Sequence, residues 1–187
     1  GILNDPSINI EVSISGKQLV EGYEPKELTN SESKIIRIIS DAGLSTKAFY
    51  YSGPFTNTGP IPPKAEKETT YTITWTLSNT SNSISKGEVR AILPTWVRFM
   101  GVTSPVSENV TYITNSREVI WNIGRISKGT GIVGSDKTVS FQIGYTPLFS
   151  HVNTVPIIIN DAILTGHDDF ANVDIRTSKP ALRTKLD

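Results

Sequence analysis

Between residues 69 and 82 the chain reads TTYTITWTLSNTSN, and its side chains sort in twos. Tyr71, Ile73, Trp75 and Leu77 fall on one side, and Thr70, Thr72, Thr74 and Thr76 on the other. A strand sends successive side chains to opposite faces, so the pattern predicts a strand with one apolar, aromatic face and one threonine face. Its residues are almost all β-branched or aromatic, the types that fit a pleated sheet. A Trp in the middle of the apolar face places the strand centrally in a packed sandwich. The threonine face is expected to meet solvent or a neighbouring domain.

The same alternation recurs along the chain. Ile8, Ile10, Val12 and Ile14 share a face, and Ser15-Gly16-Lys17 reads as a turn into a short strand over 18–20. Residues 22–33 read as a polar loop. The run KIIRIIS at 34–40 loads both faces with isoleucine and predicts a strand covered on both sides. A second run includes Phe49, Tyr50 and Tyr51, and ends in the breaker cluster NTGPIPP at 57–63, a stiff extended crossing. After the 69–82 strand, Val89, Ala91 and Leu93 point inward from the next strand, which Pro94 stops. Residues 95–102 bring Trp96, Val97, Phe99 and Met100 over one end of the core. Short strands follow at 109–113 and at 118–124, where Val119, Trp121 and Ile123 share a face. The stretch 137–145 puts Val139, Phe141, Ile143 and Tyr145 inward, residues 154–164 form two short strands or one bulged strand, and 172–177 is the last strand.

About ten short strands separated by turn residues, with no amphipathic helix of three turns, predict an all-β protein: an immunoglobulin-like antiparallel β-sandwich with additional N-terminal strands. The expected core is Tyr71, Ile73, Trp75, Leu77, Val89, Leu93, Trp121, Ile123, Val139, Phe141 and Ile143, with the two tryptophans on facing sheets.

Four blocks in order, GPIPPKAEKETTYTITWTLSNTSN, VRAILPTWVRFMG, EVIWNIGRISKGTG and VSFQIGYTP, resemble the immunoglobulin-like conserved repeat domain of bacterial cell-surface proteins. The version in surface proteins of the Patescibacteria is the most similar. The resemblance covers about 130 residues. It implies one sandwich domain over 44–187, with residues 1–43 as the end of a preceding module or as extra strands on this one. It also implies a setting in a long secreted or surface protein of stacked β-domains. It implies no activity.

Composition fits that setting. Apolar residues are 37% and charged residues 19% of the 187, the difference being made up by small polar residues, Gly and Pro. Eighteen basic and eighteen acidic residues cancel, so nothing draws a polyanion at long range and a nucleic-acid partner is not expected. The cations Arg176, Lys179, Arg183 and Lys185 read as a solvated tail. The absence of cysteine excludes disulfides, thiolate metal sites and thiol nucleophiles. No signal peptide opens the chain and no apolar run spans a bilayer, so this segment is expected to make no membrane contact. The abrupt ends at Gly1 and Asp187 read as those of a segment or a mature product.

Chemistry is sparse. His151 and His167 are the only histidines, neither has a nucleophile-elbow context, and no phosphate-loop, dinucleotide or zinc-protease pattern occurs. No enzyme activity and no cofactor is expected. Asp161, Asp168 and Asp169, near His167 and Asp174, are weak calcium candidates, because hard cations take several carboxylate oxygens. The preferred reading is a polar loop with Asp168 or Asp169 capping a turn. His151 reads as an exposed loop residue. Phe49, Tyr50, Tyr51 and Phe55 read either as packing or as a sugar-stacking platform, and the triplets at Asn79 and Asn109 as turn chemistry. The expected role is a structural module of a surface stalk, fibre or layer, the alternative an adhesin or carbohydrate-binding module using loops at one end. Its partners would be neighbouring domains or identical subunits, joined by strand addition through residues 8–14, with a glycan or host-surface ligand for the alternative.

Overall fold

The computed structural model describes residues 4–19 and 21–184. Val20, named above as a strand end, and Lys185 in the C-terminal tail lie outside the described residues.

Two sheets face each other. The first has four strands in the order β3-β4-β9-β6: β3 Ala42–Phe49, β4 Thr69–Asn79, β6 Val97–Ser104 and β9 Lys137–Tyr145. The second has five in the order β12-β11-β5-β8-β7: β5 Ile84–Ile92, β7 Asn109–Ile113, β8 Glu118–Ile126, β11 Ala162–Asp168 and β12 Val173–Lys179. Every pairing is antiparallel. Placing β3-β4-β9-β6 against β12-β11-β5 reproduces the two sheets of an immunoglobulin-type sandwich, and β8 and β7 widen the second. Two small ribbons complete the chain, β1 Ser7–Gln18 with β2 Lys26–Arg37, and β10 Ile157–Ile159 with β13 Leu182–Arg183.

The alternation in β4 fixes its register. Trp75 lies opposite Val139 and Ile73 opposite Phe141, so the aromatic row of β4 continues into that of β9. The Trp75 and Phe141 rings meet edge to face at 4.8 Å. Trp121, on β8 of the facing sheet, is also fully buried, and its indole N–H donates to Glu108 Oε2 at 2.8 Å. Tyr71, Ile73, Leu77, Val89, Leu93, Ile123, Val139 and Ile143 fill the space between the sheets, together with Ile84, Ile126, Tyr145 and Leu164. Each large aromatic ring buries about 150–250 Å², worth about 4–6 kcal/mol at about 25 cal/mol per Å². Gly124 ends the WNIG block at φ 73°, a conformation that β-carbon sterics discourage.

Three expectations fail. The threonine face of β4 does not meet solvent along its length: Thr70 and Thr72 are buried. The loop after β3 folds back over them, and Asn57 Nδ2 donates to Thr72 Oγ1 at 3.0 Å while Thr58 N donates to Thr70 Oγ1 at 2.7 Å. Further along, Thr74 and Thr76 are half-buried and bond across to Ser140 and Thr138 on β9. Alternation assigns faces to a strand but does not say which loop covers the second face.

The second failure is the N-terminal turn. Gly16 sits mid-strand opposite Leu28, and β1 runs straight for twelve residues against a β2 that includes most of the segment read as a loop. The bend falls near Gly22, at φ 83°. Once β1 is long, its ladder extends the polar segment opposite it.

The third failure is the run 34–40. Lys34 to Arg37 ends β2, Ile38 and Ile39 lead toward β3, and all four isoleucines are exposed, Ile35 at 66%. The apolar sequence calls for a cover that the described residues do not provide.

Candidate functional site

The densest polar arrangement joins the ribbon to the sandwich. Ser40, Asn79, Asn82 and Asp168 are all buried there. Asn79 closes β4, Asn82 lies in the turn to β5, Asp168 closes β11, and Ser40 leads into β3. Asp168 Oδ2 accepts from the Ser40 N–H and from Asn82 Nδ2, each at 2.8 Å. Its Oδ1 accepts from the N–H groups of Phe170 and Ala171 at 3.0 and 2.9 Å. Ser40 Oγ donates to Asn79 Oδ1 at 2.7 Å and accepts from the N–H groups of Ser81 and Asn82. Asn82 Nδ2 also donates to the Ile38 carbonyl, and Asn79 Nδ2 to those of Asn82 and Ser127. Burial alone would raise the Asp168 pKa, but the donors from Ala171, Ser40, Asn82 and Phe170 outweigh it and hold the carboxyl below its ordinary range.

Around this knot the ribbon base is tied to the sandwich. Ile38 N donates to the Pro6 carbonyl, and Arg37 donates to the Phe170 carbonyl with its guanidinium 5.4 Å from the Phe170 ring centre. Lys128 reaches Asn4 at 2.6 Å. Beyond the base, every residue of β1 and β2 is exposed, and no third strand joins them among the described residues.

The three calcium candidates have separate engagements. Asp168 is the knot just described. Asp169 pairs with Arg125 at 3.1 Å, and Asp161 caps the Ala181 N–H at 2.9 Å. Among the described residues no three His, Asp or Glu side chains converge. His167 lies opposite Asp174 in the β11–β12 ladder, with Nδ1 2.8 Å from its carboxylate. That hydrogen bond raises the histidine's pKa. His151 is not a free loop residue. It ends the short 3-10 turn Phe149–His151, half-buried, its ring 4.7 Å from that of Trp96 and its Nδ1 3.1 Å from the Tyr145 hydroxyl.

The aromatic run yields little surface. Tyr50 donates to the Gly59 carbonyl at 2.6 Å and packs toward Tyr71, while Phe49 and Phe55 are half-buried. Only Tyr51 is largely exposed, its plane at 82° to that of Tyr50. Asn79, in the first glycosylation-like triplet, is buried with its amide engaged, whereas Asn109 starts β7 in the open. No period in the sequence marks the knot: Asn79 and Asn82 are 3 positions apart, but Ser40 lies 39 residues from Asn79 and 128 from Asp168.

The two ends of the sandwich differ. The knot marks one pole. At the other, Thr69 of β4 pairs with Tyr145, the Trp96 indole bonds the Ile157 carbonyl, and Thr184 N donates to the Pro156 carbonyl. Leu148, Phe149, Val152 and Val155 are exposed on the 146–156 connection at that pole. No helix among the described residues is long and apolar enough to cross a membrane.

No family model matches the chain, and no curated protein matches it, so the resemblance to the Patescibacterial repeat rests on its motif blocks alone. Among solved structures, the chain is similar to BcpA, the major pilin subunit of Bacillus cereus, in its D312A form: 11% identity, TM-score 0.47, covering 91% of this chain and 47% of that one. It is also similar to the full-length major pilin SpaD of Corynebacterium diphtheriae, with 10% identity, TM-score 0.46, and coverage of 76% and 35%. The chain thus spans less than half the length of either pilin.

Proposed function

We propose that this chain is a non-enzymatic structural module of a bacterial cell-surface or secreted multidomain protein, a building block of a stalk, fibre or surface layer. Residues 44–187 form its body, and residues 1–43 are the arm by which it is joined to the next unit. The observation that carries this reading is polar placement of the ends. The ribbon leaves the sandwich at the knot, while Thr184 is bonded at the opposite pole. Tension between the ends therefore acts along β3 and β12, the first and last strands of the two facing sheets, and loads their ladder bonds in shear. Both histidines and the clustered aspartates are engaged in structural pairings, as a structural module requires.

A tandem array of the chain, stretched through its ends by force spectroscopy, is expected to rupture one module at a time in sharp cooperative events. Gradual lengthening at low force would sink the reading. The alternative, a binding module, draws on the exposed Leu148, Phe149, Val152 and Val155 at the far pole. A glycan array showing saturable binding that Phe149→Ser removes would favour it.

A further inference from the structure

The β1–β2 ribbon is incomplete as it stands. Twelve residues per strand make it about 40 Å long. In an antiparallel ladder, directly opposed residues share a face. Ile8, Ile10, Val12 and Ile14 therefore lie on one face, with Ile36 opposite Ile8 and Leu28 opposite Gly16. This row is exposed, Ile14 at 70%. A two-stranded ribbon is marginally stable in water without a third strand or an apolar cover. Both of its outer edges also carry unpaired backbone groups.

The sandwich has a matching deficiency. β3 pairs with β4 on one side only. Its other edge meets β12 where Thr177 Oγ1 donates to the Ala42 carbonyl at 2.8 Å, and the two then part. A wedge of about 900 Å³ opens between residues 44–49 and residues 179–183. Leu44, Ala48, Pro180 and Leu182 give it apolar walls, Lys47, Lys179 and Arg183 line it with cations, and among the described residues no carboxylate lines it. The open edge is six residues long, close to the seven residues spanned by the apolar row of β1.

From these two surfaces we infer that the ribbon of one copy adds as a strand to the free edge of β3 in a second copy, with the apolar row of β1 turned into the wedge. This rests on the module reading and names its joint. Two features select a second copy as the occupant. The lengths agree. The donor surface and the acceptor surface are also different parts of the chain. A contact in which the donor's own wedge stays free is heterologous, so it propagates from copy to copy into a ring or an open filament. Strand addition supplies main-chain hydrogen bonds for affinity, and alternate side chains entering the wedge supply specificity.

The chain has no cysteine, so single cysteines can be placed on exposed positions of the full chain. Ser13→Cys labels the polar face of β1, and Ser45→Cys the outward face of β3. With a short bismaleimide, a mixture of the two variants is expected to give a covalent dimer that neither gives alone. Ile10→Asp with Val12→Asp, at exposed positions outside the sandwich, is expected to cut the yield at least tenfold. Cross-linking of Ser13→Cys to itself alone would mean that two ribbons pair with each other edge to edge, and would overturn the inference. So would a monomer by sedimentation with no cross-link in any mixture, including a ribbon covered by a preceding segment of a longer chain. A monomer that still ruptures cooperatively under force would leave the module reading intact and remove only this joint.

Discussion

Asn82 Nδ2 donates to Asp168 Oδ2 at 2.8 Å, with both side chains withdrawn from solvent. The two residues are 86 positions apart, and their bond ties the β4–β5 turn to the end of β11. Because Ser40 N bonds the same oxygen, the carboxylate also holds the root of the ribbon. One ionised group thus satisfies donors from three parts of the chain.

Removing that carboxylate leaves buried donors without acceptors. Asp168→Ala is expected to destabilise the protein by about 3 kcal/mol, since bonds to a charged group and the donors they satisfy are the costly ones to lose. Asp169→Ala, which loses only a surface pair with Arg125, is expected to cost about 0–1 kcal/mol. Urea denaturation of both variants checks this, and equal effects would contradict the role given to the knot.

The same carboxylate sets an acid dependence. Its pKa is lowered from an ordinary value of 3.8, so the folded state binds this proton less tightly than the unfolded chain. The stability it contributes is present above that value and is lost as pH falls through the lower folded pKa. His167 has the opposite sign: its pKa is raised, so its contribution is present below the ordinary 6.5 and fades as pH rises through the folded value. Melting curves are expected to show an acid limb that Asp168→Asn flattens and His167→Gln leaves unchanged.

In the core, Trp75→Ala is expected to cost about 3–5 kcal/mol, the range for deleting a large buried aromatic. Thr72→Ala, which removes the acceptor of Asn57 under the covering loop, is expected to cost about 1–2 kcal/mol. Thr76→Ala, half-buried beside Thr138, should cost less. If Thr72 and Thr76 gave the same small change, the loop would not be holding the threonine face.

Tyr71 offers a test in the other direction. Its hydroxyl is buried without a hydrogen-bond partner among the described residues, and burial, with Tyr145 and Tyr50 nearby, drives its pKa upward. Tyr71→Phe removes an unsatisfied polar atom while keeping the ring. It is expected to be neutral or to stabilise by about 1 kcal/mol in calorimetry.

How far the sequence could be read depends on the kind of information each element carries. The period of two in β4, β8 and β9 assigns an inward face directly, so Trp75, Trp121 and Phe141 are legible as an inner row. Thr70 and Thr72 are not, because their cover comes from a loop whose sequence, SGPFTNTGP, has no period. KIIRIIS reads as buried because four isoleucines call for burial, yet no described residue covers them. The Ser40, Asn79, Asn82 and Asp168 knot is invisible for a different reason. Turn residues carry no spacing rule, and only the closed topology brings them together.

Hydrogen exchange measured against protein concentration tests most directly whether the ribbon is one half of a joint between units. In dilute solution the outer-edge amides of β1 and β3 are expected to exchange quickly while those of β4 and β9 stay protected. As concentration rises, β1 and β3 should gain protection together, with the core unchanged. Protection of the ribbon in the dilute chain, or a β3 edge that stays open at every concentration, would contradict it.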